Sequence, residues 1–209
     1  NNTSTGVNSL GSNTTGASNV AVGFLALDAN TTAAENTAVG TSSMSATTTG
    51  ASNAAFGTDS LAANTTGASN TALGAYSLDA NTTASNNTAV GVHSLGANTT
   101  GTDNTAVGES SGAAVTTGIN NTLIGAESGD AITDADHNTA VGFRSLSTNV
   151  LGSRSIAIGA GALFAQNPAS AADMYNVGIG YEAGVAVTTG VSNTFLGGIA
   201  GDATTTGNS

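Results

Sequence analysis

Glycine recurs at every seventeenth position through most of this chain. The series is Gly23, Gly40, Gly57, Gly74, Gly91, Gly108, Gly125, Gly142 and Gly159. A fixed period of this length is typical of solenoids, in which each repeat forms one coil and stacks on the next. Nine 17-residue repeats occupy 14–166, a 21-residue repeat follows at 167–187, and another 17-residue repeat occupies 188–204. We therefore predict one continuous repeat array over 1–209, and its incomplete terminal repeats indicate a fragment of a longer fibre.

The composition favours narrow β-coils over helices or disorder. Only 7% of the residues are charged and there is one proline, whereas disordered chains usually carry much charge, much proline or both. Glycines and β-branched or turn-forming residues in every repeat disfavour a helix. With five Phe, three Tyr and no Trp, the interior is expected to hold small side chains. The predicted fold class is all-β, a parallel β-solenoid (β-roll) of 17-residue coils.

Repeat positions one to seventeen are numbered on Thr65–Asn81, which reads TTGASNTALGAYSLDAN. Position nine is apolar in every repeat, and the pentapeptide N-T-A-V-G around it is typical of a short strand, one of two expected per coil. We predict that position nine fills the core, through Val22, Val39, Phe56, Leu73, Val90, Val107, Ile124, Val141, Ile158, Ile179 and Leu196. Because side chains alternate along a strand, position eight, mostly alanine, is then expected on the outer face.

Positions fourteen and seventeen exchange an apolar side chain. Repeats with Leu or Met at position fourteen mostly end in Asn or Thr, whereas three repeats with glycine at position fourteen end in Val or Ile. The exchanged pairs are Gly112 with Val115, Gly129 with Ile132, and Gly184 with Val187. Since one apolar volume moves by three positions, we predict that both positions reach the same interior. The repeat with Gly201 and Thr204 is an exception.

The strings N-T-A-V-G at 87–91 and S-I-A-I-G at 155–159, followed by Ser-Leu or Gly-Ala-Leu, resemble the head repeats of trimeric autotransporter adhesins of the YadA-like type. Similar repeats occur in phage tail fibres, and the likeness covers nearly the whole chain. It implies a left-handed β-roll and a homotrimer of chains side by side. The oligomer face that it implies is the row of position-eight alanines, Ala38, Ala55, Ala72, Ala89, Ala106 and Ala140. The period is longer than that of the usual head repeat, and no stalk heptads occur in this sequence, so a bacterial adhesin and a viral fibre both stay open.

The charge pattern excludes nucleic acid as the expected partner. The formal net charge is −11, with Arg144 and Arg154 the only basic side chains apart from histidine, whereas phosphate binding needs clustered Lys and Arg. The acids are scattered, as on the solvated faces of a soluble rod. No run reaches the roughly 18 to 20 apolar residues of a membrane helix, so we expect no membrane insertion by this segment.

The residues that could carry chemistry do not form a recognisable catalytic pattern. His93 and His137 fall at different positions of the repeat and there is no cysteine, so we expect neither an enzyme nor a cofactor. The acids at 130, 134 and 136 together with His137 could ligate Ca²⁺, but the spacing of a calcium loop is missing and an acidic turn is favoured.

Two further features have competing interpretations. Asn-Thr-Thr, at Asn13, Asn30, Asn64, Asn81 and Asn98, matches a glycosylation acceptor, yet its spacing favours a ladder of stacked asparagines.

The insertion at 167–175 carries the only proline together with Asp173, Met174 and Tyr175. Because projecting loops often bind partners, these three residues are our candidate binding site; an inert bulge is the alternative.

The sequence thus predicts a structural and adhesive segment of an extracellular surface fibre, a trimeric adhesin or a phage tail fibre, on a cell or a virion. It would act by attachment to a host-surface protein or glycan. The alternatives are a self-assembling extracellular filament and an ice-binding solenoid built on the stacked threonines.

Overall fold

The computed structural model describes residues 1–207, which form a parallel β-solenoid of about eleven coils. Its strands are β1 (Thr3–Thr5), β2 (Val20–Val22), β3 (Thr37–Val39), β4 (Ala54–Phe56), β5 (Thr71–Leu73), β6 (Thr88–Val90), β7 (Thr105–Val107), β8 (Thr122–Ile124), β9 (Thr139–Val141), β10 (Gly152–Ser153), β11 (Ile156–Ile158), β12 (Ala172–Asp173), β13 (Val177–Ile179) and β14 (Thr194–Leu196). Twelve of them form one parallel sheet in the order β1 to β9, β11, β13, β14, and β10 pairs with β12. No helix occurs in residues 1–207. The predicted fold class is confirmed.

Most neighbouring coils are related by the same register, which equals the period of the sequence. Ala72 pairs with Ala89 in the next coil. The register differs only across the 21-residue repeat, where Ala157 pairs with Gly178 and Gly152 pairs with Ala172. The prediction of two strands per coil is wrong for most coils. On the side opposite the large sheet, the hydrogen bonds between successive coils converge on shared carbonyls and do not form a strand ladder. The Thr82 carbonyl, for example, accepts from the Thr65 amide at 2.8 Å and from the Thr66 amide at 3.3 Å. Only β10 and β12 form strands there.

The predicted orientation of the strand is inverted. Position eight faces the interior: Ala38, Ala55, Ala72, Ala89, Ala106 and Ala140 all have no accessible surface. Position nine faces outward and is exposed or half-buried in every coil, at Val22, Val39, Phe56, Leu73, Val90, Val107, Ile124, Val141, Ile158, Ile179 and Leu196. The position-nine residues are therefore not the core, and the position-eight alanines cannot be an oligomer face.

The reason for the inversion is that position fourteen already occupies the interior. Leu61 and Leu78 are fully buried in the same core cluster as Ala72. Between stacked leucines, the inward side of the strand has room only for a methyl group, so the larger position-nine side chains lie on the opposite face of the pleat.

The exchange between positions fourteen and seventeen is confirmed, since Val115, Ile132 and Val187 are buried in the core cluster. The structure adds a third partner at position eight. A Cβ atom on Gly112 or on Gly129 would lie 2.7 Å from the Leu123 side chain, so the two glycines make room for it. The exception in the last complete repeat follows the same rule.

That repeat has a phenylalanine where most others have alanine. Phe195 packs against the core, and a Cβ atom on Gly201 would overlap its ring. The aromatic ring therefore takes the space that position seventeen fills elsewhere, and Thr204 need not be apolar.

Stacked polar side chains line the rest of the interior. At position six, the backbone N–H of Asn70 donates to Asn53 Oδ1 at 2.9 Å, while Asn70 Nδ2 donates to the Ala84 carbonyl at 2.8 Å. At position seventeen, Asn81 Nδ2 donates to Asn64 Oδ1 at 3.0 Å. The position-thirteen serines are also buried and donate to backbone carbonyls. Buried polar groups are costly unless paired, so these ladders fix the register of every coil.

The turns depend on a left-handed backbone at four positions per coil. In one coil these are Ser69, Gly74, Tyr76 and Leu78, with φ between 51° and 142°. Position ten requires glycine, because a Cβ atom on Gly74 would lie 2.5 Å from the Gly91 carbonyl oxygen. The constant spacing of these glycines along the chain is thus explained by a close approach of backbone to backbone.

Candidate functional site

The outward face of the twelve-stranded sheet is exposed along its length. We define the outer apolar stripe as the position-nine residues from Val22 to Leu196. Phe56 is 41% exposed and Leu73 is 48% exposed, and the row continues coil after coil. At the usual strand spacing of about 4.8 Å the stripe is roughly 50 Å long. Parallel sheets are normally covered on both faces, so this stripe is a candidate contact surface.

The predicted binding residues in the insertion have different environments. Met174 is 1% exposed and packs next to Gly152, so it anchors the insertion and cannot contact a partner. Asp173 accepts a hydrogen bond from Arg154 Nε at 2.9 Å and another from the Tyr175 hydroxyl at 3.2 Å. The bond to Asp173 raises the pKa of Arg154. Only Asp173 and Tyr175 of the three remain exposed.

The acids that could have formed a calcium site are separated and hydrogen-bonded within the solenoid. Asp134 accepts from the Thr117 hydroxyl at 2.7 Å, and Asp136 accepts from the Ile119 amide at 2.8 Å. Asp130 accepts from the Ser147 hydroxyl. Within residues 1–207 no three His, Asp or Glu side chains converge as metal ligands. These contacts support the interpretation as acidic turns.

The Asn-Thr-Thr segments form the predicted asparagine ladder. Asn30, Asn64, Asn81 and Asn98 have no accessible surface, so none can carry a glycan in the folded chain. After the first segment, the first threonine of each segment is half-buried, and Thr65 Oγ1 donates to the Thr82 carbonyl at 3.0 Å. Only the second threonine, as at Thr66, is exposed. Solvent therefore meets one row of threonine hydroxyls on this side.

An aromatic pair lies on a second part of the surface. The rings of Tyr76 and His93, at position twelve of neighbouring coils, stack with centroids 5.0 Å apart. Burial raises the pKa of nearby Asp79, although its backbone hydrogen bond and His93 act in the opposite direction. The patch is shallow, and nothing in its geometry places a nucleophile next to a base.

A notch of about 370 Å³ lies near the end of the solenoid. We call it the aromatic notch and define it by the residues that line it, Phe143, Arg144, Ala160, Gly161, Phe164, Tyr181, Glu182 and Val185. Phe143 is 53% exposed and Tyr181 is 61% exposed. Its volume lies at the lower end of the roughly 300 to 1,000 Å³ usual for ligand sites.

The consensus repeat does not predict this notch, although individual repeats contain a signal for it. Position fifteen is otherwise polar or small, but it is Phe164 and Val185 in two adjacent repeats. Position twelve is glycine only at Gly161. A comparison of each repeat with the consensus at positions eleven, twelve and fifteen would have indicated the site.

No family model, curated protein or solved structure matches this chain. Within residues 1–207 no helix is long and apolar enough to cross a membrane.

Proposed function

We propose that this chain is a structural and adhesive segment of an extracellular surface fibre, a homotrimer whose three solenoids pack side by side through the outer apolar stripe. The observation that carries this proposal is the continuous row of exposed apolar side chains on a parallel sheet. Left in water, that face would expose Phe56 and Leu73 together with their counterparts in the other coils. Burial of apolar surface yields about 25 cal/mol per Å², so lateral association is favourable along the whole rod.

The number of chains comes from the resemblance of the N-T-A-V-G repeats to trimeric adhesin heads. In such an assembly the stacked coils act as a rigid spacer that holds adhesive elements away from a surface. Attachment needs no catalytic group, and a constant register between coils suits a rod that must keep its shape over many repeats.

The first test is the absolute mass of the soluble protein by light scattering. We expect three times the 19.8 kDa of one chain. The double variant Phe56→Asp with Leu73→Asp should lower the mass to that of a single chain, because charges in the stripe would be buried without partners. The matched control is Thr66→Asp, on an exposed position outside the stripe.

A wild-type protein that stays a single chain would overturn the trimer. A mass that rises continuously with concentration would instead support the self-assembling filament. Circular dichroism of each variant establishes that the solenoid is still folded.

A further inference from the structure

The aromatic notch is built by three consecutive coils, which contribute different side chains from the same repeat positions. Position eleven supplies Phe143 at one end, Ala160 in the middle and Tyr181 at the other end. Since the two aromatic residues are two coils apart, their backbones are separated by about 10 Å. Carbon atoms in contact are about 3.5 to 4.0 Å apart, so one ring-sized group fits between the two side chains.

The floor and side of the notch are apolar. Ala160 and Gly161 leave the space open, and Phe164 and Val185 line it from position fifteen. Folding alone does not require these residues, because the other coils form the same backbone with polar or small side chains at that position. Several departures from the repeat thus meet in one place. Such convergence favours a ligand over chance variation.

Charged groups lie beside the apolar surface. Arg144 sits over the Phe143 ring, 5.4 Å from its centroid, and its Nε donates to Glu127 Oε2 at 2.5 Å. This ion pair uses one N–H of the guanidinium, and half of the Arg144 side-chain surface remains accessible. Across the notch, the neighbouring Glu182 carboxylate favours the protonated form of the Tyr181 hydroxyl and so raises the pKa of that tyrosine. The notch therefore offers both a donor and an acceptor near aromatic surfaces.

We propose that the aromatic notch binds a neutral pyranose sugar at the end or side of a glycan chain. A pyranose ring has apolar C–H faces that pack on aromatic side chains, and hydroxyl groups on its edge that exchange hydrogen bonds with Arg144 and Glu182. The notch is large enough for one such ring.

Other ligand classes fit the charges less well. A purely apolar side chain of a protein would desolvate Arg144 and Glu182 without pairing them. A phosphate or an acidic sugar would meet the carboxylates of Glu127 and Glu182 on a chain of net charge −11, and the one guanidinium here is already paired. A neutral hydroxylated ring avoids both costs.

This inference rests on the proposed adhesive function, for which it names the ligand class and the site. It does not depend on the number of chains in the fibre. The two proposals can therefore fail separately, and the mass of the same preparation distinguishes them.

The test is binding to an array of immobilised neutral oligosaccharides that end in galactose, glucose, mannose or N-acetylglucosamine, with sialylated versions alongside. The best hit is then titrated as its methyl glycoside. We expect the full chain to bind at least one neutral glycan. Phe143→Ala should weaken binding at least tenfold, because it removes one aromatic wall.

The decisive variant is Ala160→Phe, which fills the notch. It is compatible with the fold because position eleven already carries phenylalanine at Phe24 and Phe143. The matched control is Phe24→Ala, at the same repeat position and 51% exposed but outside the notch. We expect Ala160→Phe to abolish binding and Phe24→Ala to leave it unchanged.

Three results would overturn the proposal: no neutral glycan on the array binds, only sialylated glycans bind, or Ala160→Phe binds as well as the unmodified chain. A trimer that binds no sugar would reject the notch and keep the fibre. A single chain that binds a neutral sugar through the notch would reject the trimer and keep the sugar site.

Discussion

Alanine at position eight and leucine at position fourteen share the interior of each coil. Their sizes are complementary: where position eight is Leu123, both neighbouring leucines are replaced by Gly112 and Gly129. Interiors are close-packed, so one methylene more or less must be compensated nearby. The core is therefore specified by combinations of positions, and no single position describes it.

This complementarity predicts the cost of Ala72→Leu. The added side chain would meet Leu78 and Leu61 in the filled interior, and we expect a loss of about 1 to 3 kcal/mol in the free energy of unfolding. Urea unfolding followed by circular dichroism measures it. Thr66→Leu, at an exposed position of the same coil, is the control and should change stability little. Equal stability of the two variants would mean that position eight does not face the core.

The strand and its period could be predicted from the sequence, but the direction of its side chains could not. Alternation places positions eight and nine on opposite faces, and the larger residue was assigned to the inside. The structure reverses this at Leu73 because Leu78 and the buried Asn70 and Ser77 already fill the interior. Which face of the strand points inward depends on how much of the interior the side chains outside the strand already fill. A local pattern around the strand does not contain that information.

The asparagine ladder is interrupted at Thr47. As a result Asn30 Oδ1 is buried without a hydrogen-bond partner. Asn64 Nδ2 donates to the Gly67 carbonyl at 3.0 Å, but its contact with the preceding coil is a long one, to Thr47 Oγ1 at 3.5 Å. We expect Thr47→Asn to restore the ladder and to stabilise the fold by about 1 kcal/mol. Thermal unfolding measures the gain.

The exposed Thr49→Asn serves as the control for that substitution and should leave the melting temperature unchanged. A destabilised Thr47→Asn would indicate that the coil cannot accommodate the larger amide.

At the scale of the element, turns make up more of each coil than the strand does. The strands contain two or three residues, whereas most of each coil is turn with left-handed residues such as Tyr76 and Leu78. Such residues are unfavourable in isolation and persist because the ladders on both sides hold them. In most coils the second predicted strand is absent, since the Thr-Thr side contributes hydrogen bonds without a continuous extended segment.

The 21-residue coil shows where additions are tolerated. Pro168 and Met174 are buried and fix the two ends of the insertion, while Ala169 to Ala171 are exposed. Adding Gly-Gly-Ser after Ser170 should therefore change the melting temperature by no more than a few degrees. The sequence located this insertion correctly, but Met174 could not be recognised as its anchor because its buried environment comes from the preceding coil.

The same Gly-Gly-Ser inserted between Thr100 and Gly101 is the comparison. The Gly101 carbonyl accepts from both Asn87 Nδ2 and Asn98 Nδ2, so this insertion would break two ladders. We expect a much larger fall in melting temperature there. If both insertions behave alike, the ladders do not set the register.

At the scale of the whole molecule, the strands of residues 1–207 contact only the strands of neighbouring coils. Stability is then the sum of many similar interfaces, and a local defect weakens one interface without changing the others. The sequence could predict this architecture because the period is visible in the glycines. The aromatic notch could not be predicted from the average repeat, because Phe143, Phe164 and Tyr181 are deviations from that average.

We expect the folded chain to resist trypsin. Its only sites follow Arg144 and Arg154, whose φ angles are 54° and 62°, far from the extended backbone that a protease binds. Both side chains are also paired with carboxylates of adjacent coils. Cleavage then requires opening of the surrounding coils. Mass spectrometry after digestion in denaturant should find fragments 1–144, 145–154 and 155–209, while rapid native cleavage at either site would contradict the structure.

The hydrogen bonds of this solenoid run along the long axis of the rod, from each coil to the next, as between Thr71 and Asn87 at 2.8 Å. A pull on the two ends therefore acts on every interface between coils, and the interfaces then separate one after another. Each coil that detaches releases one repeat of the sequence, or about 55 Å of extended chain, in place of about 5 Å of rod. Under tension the segment would lengthen in steps that are equal except at the 21-residue coil, and it would dissipate energy at each step. Such a rod would combine stiffness at rest with resistance to rupture under load.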